Sequence, residues 1–164
     1  MTAFQDKTAG LQRHFEQAVG DILDRCETPQ IQFEDGSWGD WDDLPIRLYL
    51  RSGRTISMAW SAFDTLWLSA DQQLPFDIGI TNVRWVEGRD IALTRAMGQR
   101  IASVWVGQSG YRPDLAAGLW RRVLIVLENG ALEVFNALDE KGYAYHEVKP
   151  AGVWVDVFTG EPPE

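Results

Sequence analysis

Three features of this chain predict an α+β fold, an N-terminal amphipathic helix packed on a mostly antiparallel, meander-rich β-sheet. Apolar residues recur at helical spacing from Phe4 to Cys26. Short β-type runs bounded by turn residues fill most of the remainder. The length of 164 residues, with 45% hydrophobic and 24% charged, suits one domain with a sizeable core. No stretch has the composition of an interdomain linker, so residues 1–164 are read as a single domain.

The helix is expected over about residues 3–26. Phe4, Leu11, Phe15, Val19, Ile22 and Cys26 form one apolar stripe, with Gln12, Arg13, Glu16, Gln17, Asp21 and Asp24 largely off it. Thr28-Pro29 should end it, because a residue before proline is pushed out of the helical region. A β-rich region, 30–158, follows. After a run at 31–33, segments 46–50 and 55–60 read as a hairpin with Ser52-Gly53 at its tip, and 66–68 adds a third strand. Segments 76–80 and 82–86 read as extended, while 90–97 fits either a short helix begun near Asp90 or another strand. Runs at 101–106, 122–127, 131–135 and 143–148 complete the set. Between the second and third of these, Asn129-Gly130 suits the left-handed conformations of a two-residue hairpin turn. Segment 108–114 reads as a loop, 114–118 as a helical turn and 159–164 as a frayed tail. Both halves thus run strand, Ser/Asn-Gly turn, strand, Asp-containing turn, strand. With little residue identity between them, the generic grammar of an antiparallel sheet is preferred to an internal duplication.

Composition departs most from that of an ordinary domain at 34–43, EDGSWGDWDD, which holds five carboxylates, two tryptophans and no lysine or arginine. Its glycines argue against a regular helix or strand. Clustered carboxylates create negative potential, and tryptophan supplies the rigid contact area of binding hot spots. Glu34, Asp35, Trp38, Asp40, Trp41, Asp42 and Asp43 are therefore the candidate protein-binding residues. The chain is tryptophan-rich, with eight. Trp60, Trp67 and Trp105 lie in apolar runs and are expected in the core, whereas Trp38 and Trp41 are expected to be exposed.

A formal net charge of -9 repels phosphates and anionic membranes, which disfavours nucleic-acid and peripheral membrane binding and leaves a basic protein as the fitting partner. The single cysteine, Cys26, permits no intramolecular disulfide or cysteine-based zinc site, and its place on the apolar stripe points to a buried, inert thiol. The N-terminus lacks an apolar signal core and no run reaches transmembrane length, so the cytoplasm is the expected compartment. His14 and His146 lack zinc-site spacing. No G-x-S-x-G elbow, phosphate-binding loop or dinucleotide fingerprint occurs, and the acidic stretch fails the calcium-loop pattern, which would place a glutamate where Ile46 stands. No catalytic residue, metal or cofactor is expected, and the leaning is away from an enzyme.

These features lead to a non-enzymatic protein-binding domain presenting the acidic, Trp-containing loop to a basic protein. In size, acidity and missing motifs the chain is similar to the immunity proteins that neutralise bacterial toxins, many of whose partners are basic nucleases. No diagnostic motif carries that likeness, and what it implies is a toxin inhibitor. The alternative is a small-molecule binder or enzyme with an aromatic cleft in the sheet, using Trp60, Trp67, Tyr143, Tyr145 and His146. An assembly subunit ranks third.

Overall fold

The computed structural model describes residues 3–61, 64–109, 119–137 and 140–160. The helical turn expected at 114–118, most of the 108–114 loop and the end of the tail lie outside them.

The N-terminal helix is shorter than its periodicity suggests. Helix α1 spans Ala3–Phe15, turns carry the chain to Gly20, and strand β1 occupies Leu23–Gln32. Leu11, Phe15 and Ala18 are buried, but Val19 is exposed, so the stripe does not continue. The chain reverses at Gly20, whose φ of 89° few other residues adopt. Cys26 and Thr28 are buried two apart, the period of a strand. Thr28-Pro29 lies inside β1, where the extended backbone that proline imposes on its predecessor is the strand conformation itself.

The remaining elements are β2 (Trp38–Asp40), β3 (Ile46–Leu50), β4 (Thr55–Ser61), β5 (Thr65–Ser69), β6 (Val83–Val86), α2 (Ile91–Ala96), β7 (Ile101–Gly107), β8 (Arg122–Leu127), β9 (Gly130–Ala137), β10 (Glu140–His146) and β11 (Trp154–Asp156). The choice at 90–97 falls to a helix, because the Asp90 carboxylate accepts the Ala92 amide at 2.8 Å as its N-cap. Segment 76–80 forms no strand; Asp77 turns the chain by accepting the Gly79 amide. Strands β2 and β11 were not expected from sequence.

The strands form two antiparallel sheets, one of six strands with path β2-β1-β3-β4-β5 and β6 beside β1, the other ordered β10-β9-β8-β7-β11. The first half of β1 pairs with β3 and its second half with β2 and β6. The sheets meet at a backbone seam. Ile22 bridges Arg100, flanked by hydrogen bonds from Gly20 to Ile101, Ile101 to Asp21 and Leu23 to Gln99. About this seam the two halves correspond in architecture: α1 precedes the meander β1-β3-β4-β5, and α2 precedes β7-β8-β9-β10. Each helix rests on the last strand of its own meander and the first strand of the other. One cluster of buried residues, including Phe15, Leu48, Met58, Leu93, Val104, Ile125 and Leu132, joins both helices to both sheets. Lys7, buried on α1, ties the helix to the Asp64 carboxylate and to the Trp120 carbonyl at 2.7 Å. Its desolvation lowers the ammonium's pKa, against the opposing pull of Asp64.

On the outer side of the second sheet, Leu124, Ala131 and Trp154 form a small second cluster. Trp154 is 1% exposed, its indole N–H donates to the Pro150 carbonyl at 3.0 Å, and Arg122 stacks 4.4 Å from its ring. Gly107, its partner in register, makes room for the ring: a Cβ there would sit 2.5 Å from two indole carbons. We therefore expect Gly107→Ala to push β11 off the sheet and lower stability by about 1–3 kcal/mol. A lower urea midpoint would show this, and an unchanged midpoint would contradict it.

Candidate functional site

The acidic stretch folds as a hairpin at the far end of β1, beyond the main core. Phe33 and Ser37 close the turn by a 2.8 Å backbone bond, and Trp38–Asp40 then pairs with Gln30–Gln32 as β2. Gly39 does not prevent this strand. It permits it on this side, because a Cβ there would lie 2.5 Å from the Phe33 ring that covers it.

Strand alternation sends the two tryptophans to different neighbours. Both are half-buried, not freely exposed as their aspartate-rich surroundings suggest. Trp38 lies under the Arg84 guanidinium, 4.4 Å from ring to cation. Trp41 stays on the β1 ladder through its amide bond to Pro29 and meets Phe76 edge-on at 5.6 Å. It shares a side with Gly39 and hence with the covering Phe33.

The carboxylates also divide. Arg89, largely buried, bonds Asp40 and Asp42 at 2.9 Å each, and Gln30 adds a 2.8 Å bond to Asp40. Partial burial pushes the Asp40 carboxyl up, but the hydrogen bonds from Arg89 and Gln30, with the charge of Arg89, hold it below its ordinary value. Asp35 is fixed by the Ser37 hydroxyl and amide, which hold its carboxyl below the usual range and keep it charged. Asp43 accepts the Trp41 indole N–H at 3.1 Å. Among the described residues, Glu34, Asp35, Asp43 and the nearby Asp77 form no ion pair, so these four carry the outward negative charge.

Sequence reasoning missed the apolar half of this surface. Phe33 is 50% exposed, Phe76 is 40% exposed and Ile80 is fully exposed. The loop bearing Ile80 is pinned beside the hairpin, since Asn82 accepts the Gln32 amide and donates to the Gln32 side chain at 3.1 Å. The sequence held a partial signal, an apolar Phe76 and Ile80 in a segment where the period of neither helix nor strand buries them.

The residues of the alternative cleft are not brought together. Trp60 pairs with Leu66 and Trp67 with Ala59, so the two rings leave opposite faces of the first sheet. Trp60 is buried in the core, whereas Trp67, like Trp105, is only half-buried. Tyr143 and Tyr145 pack against the core from β10 of the other sheet. His146 points to the reverse face, where its Nε2 lies 2.8 Å from Glu133, which also takes a two-pronged bond from Arg122. None of these five residues lines the cavities of about 280, 400 and 350 Å³ that described residues form elsewhere on the molecule. Among the described residues, no group of three or more His, Cys, Asp and Glu is placed to hold a metal ion. Cys26 is buried on β1. Among the same residues, no helix is long and apolar enough to cross a membrane.

No family model, curated protein or solved structure matches the chain. The functional reading therefore rests on the residues themselves.

The Arg89 clasp has a pH signature. A depressed carboxyl stabilises the fold fully above its unfolded value, about 3.9, and loses that effect as pH falls through its lower native value. Asp40 is about half exposed, so solvent screens the pair. Arg89→Gln should cost about 1 kcal/mol at pH 7, and the penalty should shrink below about pH 4. Urea unfolding at both pH values checks this; a penalty independent of pH would contradict it.

Proposed function

We propose that this is a non-enzymatic protein-binding domain, and that the end of the first sheet carrying β2 and β6 meets a basic protein. The observation carrying the proposal is a juxtaposition. Phe33, Trp41 and Phe76 gather on one side of the β1–β2 hairpin, within a group of acidic residues that have no cation of their own among the described residues. Exposed apolar residues rimmed by like charge are costly to leave in water and are typical of interaction sites. Four outward carboxylates supply steering, and the aromatic rings supply the contact area that slows dissociation.

The narrower reading is a toxin-neutralising, immunity-type inhibitor that covers the basic channel of its target. It is supported by the same charge and by the chain's small size, and by no matching relative. Asp40 and Asp42 play a different role here from Asp43: they hold the hairpin through Arg89 and are poor probes of steering.

The test is to recover the partner with tagged protein and measure association at low and moderate salt. Replacing Glu34, Asp35, Asp43 and Asp77 together by their amides should slow association about tenfold or more at low salt, with the difference fading as salt rises. Phe76→Ala with Trp41→Ala should act mainly on dissociation, by about tenfold or more. Unchanged association by the amide variant would contradict the proposal.

A further inference from the structure

A second site lies away from the acidic hairpin, between the end of α1 and the β3–β4 hairpin. There a cavity of about 400 Å³ is lined by Arg13, His14, Gly53, Arg54, Thr55, Ile56 and Ala70. Three of these side chains are basic, and none is acidic. The chain has 24 Asp and Glu against 15 Lys and Arg, so carboxylates are plentiful, and most described cations are engaged. Arg25, Arg51, Arg89, Arg95 and Arg122 pair with carboxylates. Lys7 and Arg100 reach backbone carbonyls, Arg47 and Arg84 stack on tryptophans, Lys149 lies over Trp105, and Arg121 donates to Ser109. Among the described lysine and arginine side chains, Arg13 and Arg54 alone have no hydrogen bond, ion pair or ring contact, and both border this one cavity. Asp21 is near enough to feel the charge of Arg54, but it is held by Ser52 and by the Ile22 amide and forms no ion pair.

We infer that this cavity binds a small phosphate-bearing ligand. A guanidinium offers paired N–H donors in a planar fork that matches phosphate oxygens. Two such groups, with an imidazole and the Thr55 hydroxyl, suit the three oxygens of a phosphate monoester better than the two of a carboxylate. His14 borders the cavity with its Nδ1–H donating to the Gly10 carbonyl at 2.9 Å, and its Nε2 donates to a phosphate oxygen only in the imidazolium form. Ile56 and Ala70 give the cavity an apolar portion, so an ester carrying a small apolar group gains contact area over inorganic phosphate. The volume lies within the range of small-ligand sites. The ligand is a small molecule and not a nucleic acid, because a net charge of -9 repels an extended polyphosphate.

Calorimetric titration with inorganic phosphate and with phenyl phosphate, at constant ionic strength set by sodium chloride, tests the inference. The expected result is saturable binding, with phenyl phosphate tighter and its dissociation constant below about 1 mM. Arg13→Gln combined with Arg54→Gln should weaken binding about tenfold or more. Arg51→Gln removes a charge from the same hairpin, but one already paired with Asp24, and should leave binding nearly unchanged. All the substituted arginines are exposed, and an unaltered melting temperature confirms that each variant is folded. Heats that fail to saturate with either probe, or equal weakening by the double variant and by Arg51→Gln, would overturn the inference.

Discussion

Strand β1 is ten residues long against five in its neighbour β3, and its two halves serve different ends. The first half continues from the Ile22–Arg100 seam and places Leu23 and Cys26 in the core, so that one meander is backbone-bonded to the other. The second half runs past the core and supplies the ladder on which β2 and β6 assemble from either side. Without that overhang the acidic stretch would be a loop with no fixed faces. With it, alternation along a strand decides which side chains turn to one face of the hairpin and which to the other.

The two meanders match in their helix and four consecutive strands, and the far half of β7 is flanked by β8 and β11 where that of β1 is flanked by β2 and β6. The difference lies in what these segments carry: among the described residues the exposed aromatic rings, Phe33 and Phe76, belong to the first half. At the β2–β6 end, charge is apportioned by Arg89. By holding Asp40 and Asp42 it relieves repulsion inside a stretch of five carboxylates and fixes the strand end, leaving the outer acids to act at long range.

Much of the sheet was legible because its signals are local. The 46–50 and 55–60 hairpin follows from alternation and turn chemistry within a few residues. In the second hairpin, however, the turn residues are Glu128-Asn129 and not Asn129-Gly130. Gly130, with no positive φ, opens β9 opposite Leu127, where a Cβ would run into the Tyr145 hydroxyl. The N-terminal boundary was misread because Val19, Ile22 and Cys26 satisfy helical spacing by coincidence, and only the pairing of β1 with distant β3 and β6 decides otherwise. At the site, the acidic residues were visible as composition. Their division was not, since Arg89 lies 47 residues from Asp42 and Arg84 reaches Trp38 from another strand. The five-residue aromatic cleft failed for a reason the sequence already contained: adjacent strand positions such as Tyr145 and His146 leave opposite faces. The β11 strand was missed because its docking depends on the space at Gly107 and not on its own three residues.

The central claim is that the β2–β6 end of the first sheet is the interaction surface. Amide hydrogen exchange, with and without the captured basic partner, tests it most directly. Protection on binding should concentrate in residues 33–43 and 74–82, while the second sheet and the α1 cavity stay unchanged. Protection confined to the second sheet, with both of those segments unaffected by the partner, would contradict the claim.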